Sequence, residues 1–210
     1  MKIKVRLIGG LMFITLASIM LCACGNNVGD LKSTKVTLYG KTYDLPVLGS
    51  ELLDNGWSVP SNISYTKEFQ PNKITYVAGL KIKHTEGGII DFEGICNTDS
   101  SSKELNGCEI LGFSIDNYDN NMKAFLDENA VVFPCGITAK STYDDIVSAY
   151  GEPNNNNVNF KSANVQNGSS YITLSYNNQI TSGASFSFSF DNEKNTLSEM
   201  KIEAQSPFEK

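Results

Sequence analysis

The chain has 210 residues, with 17 Lys and Arg against 23 Asp and Glu, so its formal net charge is −6. A nucleic-acid-binding domain needs a basic face for its phosphate contacts, and this acidic balance argues against that class. Arg6 and His84 are the sole arginine and the sole histidine. A site that needs two imidazoles is therefore excluded within one chain, and with it most catalytic zinc sites. We expect no metal and no cofactor.

The amino terminus has the pattern of an export signal. A basic stretch, Met1–Arg6, precedes an apolar run, Leu7–Leu21, which leads into Leu21-Cys22-Ala23-Cys24. This order is typical of a secretory signal peptide, here residues 1–23. The run is shorter than the roughly 20 residues that span a bilayer, although an uncleaved membrane helix is the alternative.

The segment Leu21-Cys22-Ala23-Cys24 resembles the lipobox of bacterial lipoproteins of the low-GC Gram-positive type, with Leu at −3, a small residue at −1 and Cys at +1. The resemblance implies that the sulfur of Cys24 carries a diacylglyceryl group with palmitate-like chains, and that the mature chain lies at the extracytoplasmic face of the cell membrane. Two acyl chains hold a protein stably on a membrane, whereas a single chain does not. Cleavage removes three basic side chains, which leaves a mature net charge of about −9.

The mature chain divides by pattern into a tether, residues 24–35, and two halves, residues 36–121 and 122–210. Each half runs as a strand, a proline, a short capped helix, a glycine stop and an antiparallel meander. We therefore predict an α+β fold, with antiparallel sheet meanders each packed by a short helix, in two tandem similar halves. One continuous sheet with two helices is the alternative.

The first half begins with a predicted hairpin, Val36–Leu45, that turns around Gly40-Lys41. A helix capped by Ser50 follows and ends at Gly56. The strands predicted after it, from alternation and turn residues, are Ile63–Phe69, Ile74–Thr85, Ile89–Asn97 and Cys108–Ile115.

The second half begins with a predicted strand, Val131–Pro134. Ser141–Asp144 has the spacing of a capping box and predicts a helix that Gly151 ends. The strands predicted after the helix are Tyr171–Tyr176, Ala184–Phe190 and Leu197–Gln205. In the middle one, phenylalanines and serines alternate, so the phenylalanines must share one face of the strand.

The stretch Gly136–Pro153 resembles a signature common in small exported lipoproteins of low-GC Gram-positive bacteria. It also resembles the helix-plus-sheet repeat of the β-lactamase-inhibitor-protein and of small outer-membrane-assembly lipoproteins. Those relatives are not enzymes, and they bind protein partners on the concave side of the sheet. The resemblance implies such a role here.

Two cysteines, Cys96 and Cys108, end and begin neighbouring predicted strands, so they are candidates for a disulfide. By the chain-entropy model, this disulfide would add about 3 kcal/mol to the free energy of unfolding. Two buried thiols are the alternative. We interpret Cys135 as a thiol packed in the interior. A catalytic dyad of Cys135 with His84 is the less favoured alternative.

Two acidic patterns have plain explanations. Asn117–Glu128 has a spacing similar to that of an EF-hand calcium loop, but Met122 occupies the position where such a loop needs glycine. We therefore predict that this segment is a polar linker and binds no metal. Asp91 and Glu93 alternate with apolar residues and predict the solvated face of a strand. A glycosidase would need two such carboxylates across a cleft.

Aromatic side chains are numerous for so polar a chain, and a tyrosine-lined sheet face is a candidate partner site. The residues concerned are Tyr39, Tyr43, Trp57, Tyr65, Tyr76, Tyr118, Tyr171 and Tyr176.

The sequence therefore favours a membrane-anchored extracytoplasmic lipoprotein that binds an envelope or extracellular protein and has no catalytic residues. One alternative is a carboxylate-dependent hydrolase. The other is a solute-binding lipoprotein, whose two lobes usually require a longer chain.

Overall fold

The computed structural model describes residues 33–60, 68–76, 80–116, 130–153, 159–166, 169–177, 184–191, 196–205 and 208. Cys24, the signal, the Asn117–Glu128 loop and most of the predicted Ile63–Phe69 strand lie outside these residues. Within them, no helix is both long and apolar enough to cross a membrane.

The described part of the chain is dominated by antiparallel sheet, as predicted, with only two α-helices. The strands of the first half are β1 (Lys35–Leu38), β2 (Lys41–Asp44), β3 (Val47–Leu48), β4 (Trp57–Ser58), β5 (Lys73–Thr75), β6 (Lys81–His84), β7 (Ile89–Asn97) and β8 (Glu109–Asp116). Those of the second half are β9 (Val131–Val132), β10 (Asn159–Gln166), β11 (Ser169–Tyr176), β12 (Ala184–Asp191) and β13 (Thr196–Ala204). The helices are α1 (Gly49–Leu53) and α2 (Tyr143–Tyr150), and the 3-10 turns are Leu105–Gly107 and Pro134–Gly136.

The strands form a large sheet and a small one. The large sheet has the order β10-β11-β12-β13-β8-β7-β6-β4, and β3 and β5 pair with β8 and β7 beside this path. The small sheet has the order β2-β1-β9. Strands from residues 36–121 therefore pair directly with strands from residues 122–210, at β8 with β13 and at β1 with β9.

Buried side chains of β11, β12 and β13 and the Tyr150 ring of α2 belong to one hydrophobic core, which also contains residues of the first half. The alternation in β12 is confirmed, since Phe186, Phe188 and Phe190 are buried while the serines between them are partly exposed. The Tyr150 ring of α2 stacks on Phe186 and Phe188 at centroid distances of 5.1 and 5.7 Å. Burying each such ring stabilises the fold by roughly 1.5–3 kcal/mol.

The β1–β2 hairpin turns at Tyr39 and Gly40, one residue earlier than predicted. Their φ angles are 47° and 79°, so both central residues lie in the left-handed region. Two such residues define a type I′ turn, which matches the twist of the flanking strands. Glycine adopts this region freely, whereas a tyrosine needs tertiary contacts to hold it there.

Both predicted helix caps need correction. α1 begins at Gly49 after Leu48 and has no side-chain cap, so Ser50 lies inside the helix rather than before it. Residue 49 must be glycine here, because a side chain on it would overlap the Leu105 carbonyl. α2 is capped by Thr142 and Asp145, one residue beyond the predicted Ser141–Asp144 pair.

Candidate functional site: the polar face of the large sheet

The large sheet has a second face, opposite the phenylalanine core, that carries polar side chains on six adjacent strands. We call it the polar face. Its members are Thr173 and Ser175 of β11; Ser185, Ser187 and Ser189 of β12; Glu199, Lys201 and Glu203 of β13; Ser114 and Asp116 of β8; Asp91 and Glu93 of β7; and Lys81 and Lys83 of β6.

The strand registers align these side chains in rows across the sheet. One row consists of Ser175, Ser187, Lys201, Ser114, Asp91 and Lys81. A second row consists of Thr173, Ser189, Glu199 and Asp116. Residues directly opposite each other on antiparallel strands have Cβ atoms about 5 Å apart, so each row is a continuous strip of contacts.

Ion pairs connect strands that are far apart in sequence. The Lys201 ammonium pairs with the Glu93 carboxylate and lies 3.5 Å from that of Glu203. The Lys81 ammonium lies 3.6 Å from the Asp91 carboxylate. Asp91 and Glu93 thus lie on the outer face that the sequence predicted for them, but both are only partly exposed and both contact a lysine.

Two carboxyl groups of the polar face have raised pKa values. Burial is the main cause for Asp91, where the nearby Lys81 opposes the rise and Asp116 adds to it. Burial also raises the pKa of Glu199, and the charges of Glu93 and Asp116 contribute. Neighbouring carboxylates on other strands therefore add to the rise that burial causes in the pKa of Asp91 and Glu199.

A chain of hydroxyl groups leads to Glu199. The Ser189 hydroxyl donates to the Glu199 carboxylate at 3.3 Å and lies 3.1 Å from the Thr173 hydroxyl. This hydrogen bond partly offsets the rise in the Glu199 pKa. Chemically, such an array offers hydrogen-bond donors, acceptors and negative charge, which suits binding. Within the described residues no group of three His, Cys, Asp or Glu side chains is arranged to hold a metal ion.

Tyr76 borders the polar face. It follows β5 directly, its side chain is 62 % exposed, and its ring edge lies beside Gly94 of β7. Gly94 pairs with Gly112 of β8 and contacts the buried Leu111 side chain. An exposed aromatic ring with an apolar floor is a typical contact residue in protein interfaces.

His84 has a structural role. It is 8 % exposed, its ring Nε2–H donates to the Asn55 carbonyl at 3.2 Å, and its Nδ1 accepts from the Glu86 backbone N–H at 3.2 Å. Both ring nitrogens are therefore occupied by backbone groups, which leaves neither as a base for Cys135. The Cys135–His84 dyad is accordingly disfavoured.

None of the three described cysteines forms a disulfide in this structure. Cys96 pairs across the β7–β8 ladder with Glu109, the residue after Cys108, so the two cysteines are one register step apart. Burial raises the pKa of both thiols to about 11. The Cys108 sulfur donates to the Glu104 carbonyl at 3.3 Å. The possible Cys96–Cys108 disulfide is not formed in this structure and stays a prediction.

Three of the aromatic residues proposed as a partner surface belong to the interior. Tyr43, Trp57 and Tyr176 are buried, and the Tyr176 hydroxyl donates to the Gly151 carbonyl at 2.8 Å. Tyr39 and Tyr171 are partly exposed, and Tyr65 and Tyr118 lie outside the described residues. The polar face is thus lined mainly by carboxylates and hydroxyls, with Tyr76 at its margin.

Sequence reasoning found Asp91 and Glu93 but missed the rest of the polar face. Lys201 contacts Glu93 across 108 positions, and no local signal links them. The alternation of charges at Glu199, Lys201 and Glu203 was visible, yet only the register shows which residues they oppose.

No protein-family model, no curated protein and no solved structure matches this chain.

Proposed function

We propose that this chain is a membrane-anchored extracytoplasmic lipoprotein, and that its folded domain is a non-catalytic module that binds another protein through the polar face. The observation that carries the binding role is the continuity of that face over six strands. Its acids are partly buried and close to one another, which costs free energy in the isolated protein. A face needed only for solubility would not require such crowding.

The anchoring part of the proposal rests on the lipobox resemblance at Cys24. Eight residues, 25–32, lie between Cys24 and Ser33, the first residue that the structure describes. Fully extended, a segment of that length reaches roughly 30 Å. The domain would therefore stay close to the bilayer, where envelope and extracellular proteins are accessible.

We also propose that the two halves are similar units. The order of the large sheet supports this, because β10-β11-β12-β13 runs inward from one side and β4-β6-β7-β8 runs inward from the other. In both halves a helix precedes the four strands, and the last strands, β8 and β13, pair in the middle. The stacking of Tyr150 on two β12 rings supports helix packing in the second half.

The anchor is tested by replacing single cysteines in the natively expressed protein. Cys24→Ala should release the chain from the membrane fraction or leave it unprocessed, and the diacylglyceryl mass should disappear. Cys22→Ala is the matched control, since it changes the other thiol of the lipobox and should leave mass and fractionation unchanged. An unmodified wild-type chain, cut elsewhere and soluble, would contradict the proposal.

The binding surface is tested by photo-crosslinking in intact cells. A crosslinking side chain at Ser187, on β12 of the polar face, should yield a discrete adduct with another protein. The same group at Ser148, on the exposed side of α2, is the control and should yield none. Adducts from Ser148 alone, or from neither position in a correctly anchored protein, would argue against the polar face.

One observation favours a second candidate, a carboxylate-dependent hydrolase. Asp91 and Glu199 share the polar face and both have raised pKa values, as a general acid requires. Glu93, which sequence reasoning paired with Asp91, contacts Lys201 and suits that role less well. If this candidate is right, Asp91→Asn and Glu199→Gln should each abolish hydrolysis of a glycan substrate without lowering Tm. Turnover that survives both changes would exclude it.

A further inference from the structure

The charge on the polar face is unevenly distributed over the strands. In the described parts of β7, β8 and β13, the face carries five carboxylates and one lysine: Asp91, Glu93, Asp116, Glu199 and Glu203, with Lys201. The two other lysines, Lys81 and Lys83, lie on β6 toward the β4 side of the sheet. The middle of the face therefore has a clear excess of negative charge.

Two of the three lysines in the described part of the face form ion pairs. Lys201 contacts Glu93 and Glu203, and Lys81 contacts Asp91. Glu199 stands directly opposite Asp116 in the β13–β8 register, so two carboxylates face each other across neighbouring strands. Like charges in this position are unfavourable in the free protein, and a cationic group placed over them relieves the repulsion.

Tyr76 adds a second feature that attracts cations. Its exposed ring borders the same face beside Gly94. The face of an aromatic ring attracts an ammonium or guanidinium group, by about 0.5–1 kcal/mol at exposed sites. The carboxylates and the ring thus complement the same chemistry, basic side chains on an apolar stem.

From this charge complementarity we infer that the polar face docks a basic protein surface that presents lysine and arginine side chains. The inference rests on the proposed binding role of the face and names the class of partner. Nucleic acids and anionic lipid surfaces are repelled by the same carboxylates. The contact combines ion pairs over Glu199 and Asp116 with a stacked guanidinium or ammonium on Tyr76.

The test uses the mature lipoprotein in nanodiscs of uncharged phosphatidylcholine, with fluorescein-labelled octa-arginine as the probe. Glu199→Lys reverses a charge in the middle of the face and should weaken binding about tenfold, equivalent to 1.4 kcal/mol. Glu104→Lys is the control, because Glu104 is exposed in the loop after β7 and gives the same change in net charge. It should weaken binding less than twofold at physiological salt, where distant charges are screened.

Two further variants keep the result interpretable. Glu199→Gln removes the charge without adding a bulky cation and should weaken binding in the same direction, which covers the case in which Glu199→Lys fails to fold. Tyr76→Ala should weaken binding with little change in its salt dependence.

Equal effects of Glu199→Lys and Glu104→Lys would overturn the inference, since binding would then follow net charge alone. Tighter binding of a neutral hexamer of N-acetylglucosamine than of octa-arginine would also overturn it, in favour of a glycan ligand. If crosslinks form at Ser187 but the affinity for octa-arginine does not change when Glu199 is replaced, the inference fails and the proposed function stands. If neither occurs, both fail.

Discussion

The ring of Tyr39 stacks on the imidazole of His84, with 4.3 Å between centroids and 10° between planes. Trp57 closes the cluster at 4.8 Å from His84 and 5.8 Å from Tyr39. Tyr39 belongs to the small sheet, whereas the other two residues belong to the large one. The stack therefore joins the two sheets, and it holds Tyr39 in a backbone conformation that costs a non-glycine residue about 1–2 kcal/mol.

Gly88→Ala should break this stack. A Cβ at Gly88 would overlap the Tyr39 hydroxyl, so the ring must move. Such overpacking typically costs 1–3 kcal/mol. Trp57 is the sole tryptophan, so its fluorescence should change together with the loss of stability. Gly107→Ala is the control, because its Cβ would meet only the flexible Lys103 side chain at 3.3 Å. Unchanged emission in a destabilised Gly88→Ala protein would refute the link.

Asp145→Ala should lower stability by about 1 kcal/mol through loss of the α2 cap. The Asp145 carboxylate accepts from the Thr142 N–H and hydroxyl, both at 2.8 Å. These bonds lower the pKa of Asp145. The stabilisation is therefore present above the unfolded value near pH 3.9 and is lost as pH falls through the lower native pKa.

The control for this cap is Asp144→Ala. Asp144 lies in the same first turn and carries the same charge. Removing it therefore costs the same favourable interaction with the helix dipole as removing Asp145, but breaks no cap hydrogen bond. Chemical denaturation at pH 7 should find Asp145→Ala less stable than Asp144→Ala. Equal loss in the two variants would show that charge, and not the cap bonds, stabilises the helix end.

Glu199→Gln should raise Tm by a few degrees at pH 8 and make stability less dependent on pH. The native pKa of Glu199 is raised, so the folded state holds its proton at a pH where the unfolded chain has lost it. Its contribution to stability is therefore present at low pH and falls as pH rises through the native pKa. Glu203→Gln removes an ion pair with Lys201 instead and should not stabilise the protein. A lower Tm for Glu199→Gln at pH 8 would contradict the prediction.

Thiol labelling should separate Cys135 from the two buried cysteines. At pH 8 iodoacetamide should modify Cys135, which is partly exposed, before Cys96 or Cys108, whose raised pKa values leave little thiolate. Peptide mapping identifies the modified residues. A mass lower by two hydrogens, with Cys96 and Cys108 protected until reduction, would instead establish the disulfide.

The sequence located the elements with strong periodicity. β7 was predicted with its observed bounds, because Asp91 and Glu93 alternate with Ile90 and Phe92 in a run that begins after a turn. β10 was missed, since its residues are mostly polar and it pairs only with β11 at the end of the sheet. The predicted Ile74–Thr85 strand is two separate strands, β5 and β6, which pair with different parts of β7.

Contacts between distant residues could not be predicted in this way. The Tyr39–His84 stack forms where the two sheets contact each other, and no periodic pattern in the sequence predicts that contact. The helix α2 was predicted from local residues, yet its cap lies one residue later than expected because Asp145, not Asp144, reaches back to Thr142. Local chemistry thus indicated the elements, while the polar face depends on register.

The pairing of β13 with both β12 and β8 sets the order in which the protein can be completed. β13 comes from residues 196–204, but it occupies an inner position of the large sheet. Until these residues have been synthesised, β12 and β8 each have one unpaired strand edge. Each of these edges belongs to a strand with one apolar face, so it can pair with an incorrect strand. Folding of the whole sheet must therefore wait until residues 196–204 are available, and the partly folded chain would need protection from aggregation during that interval.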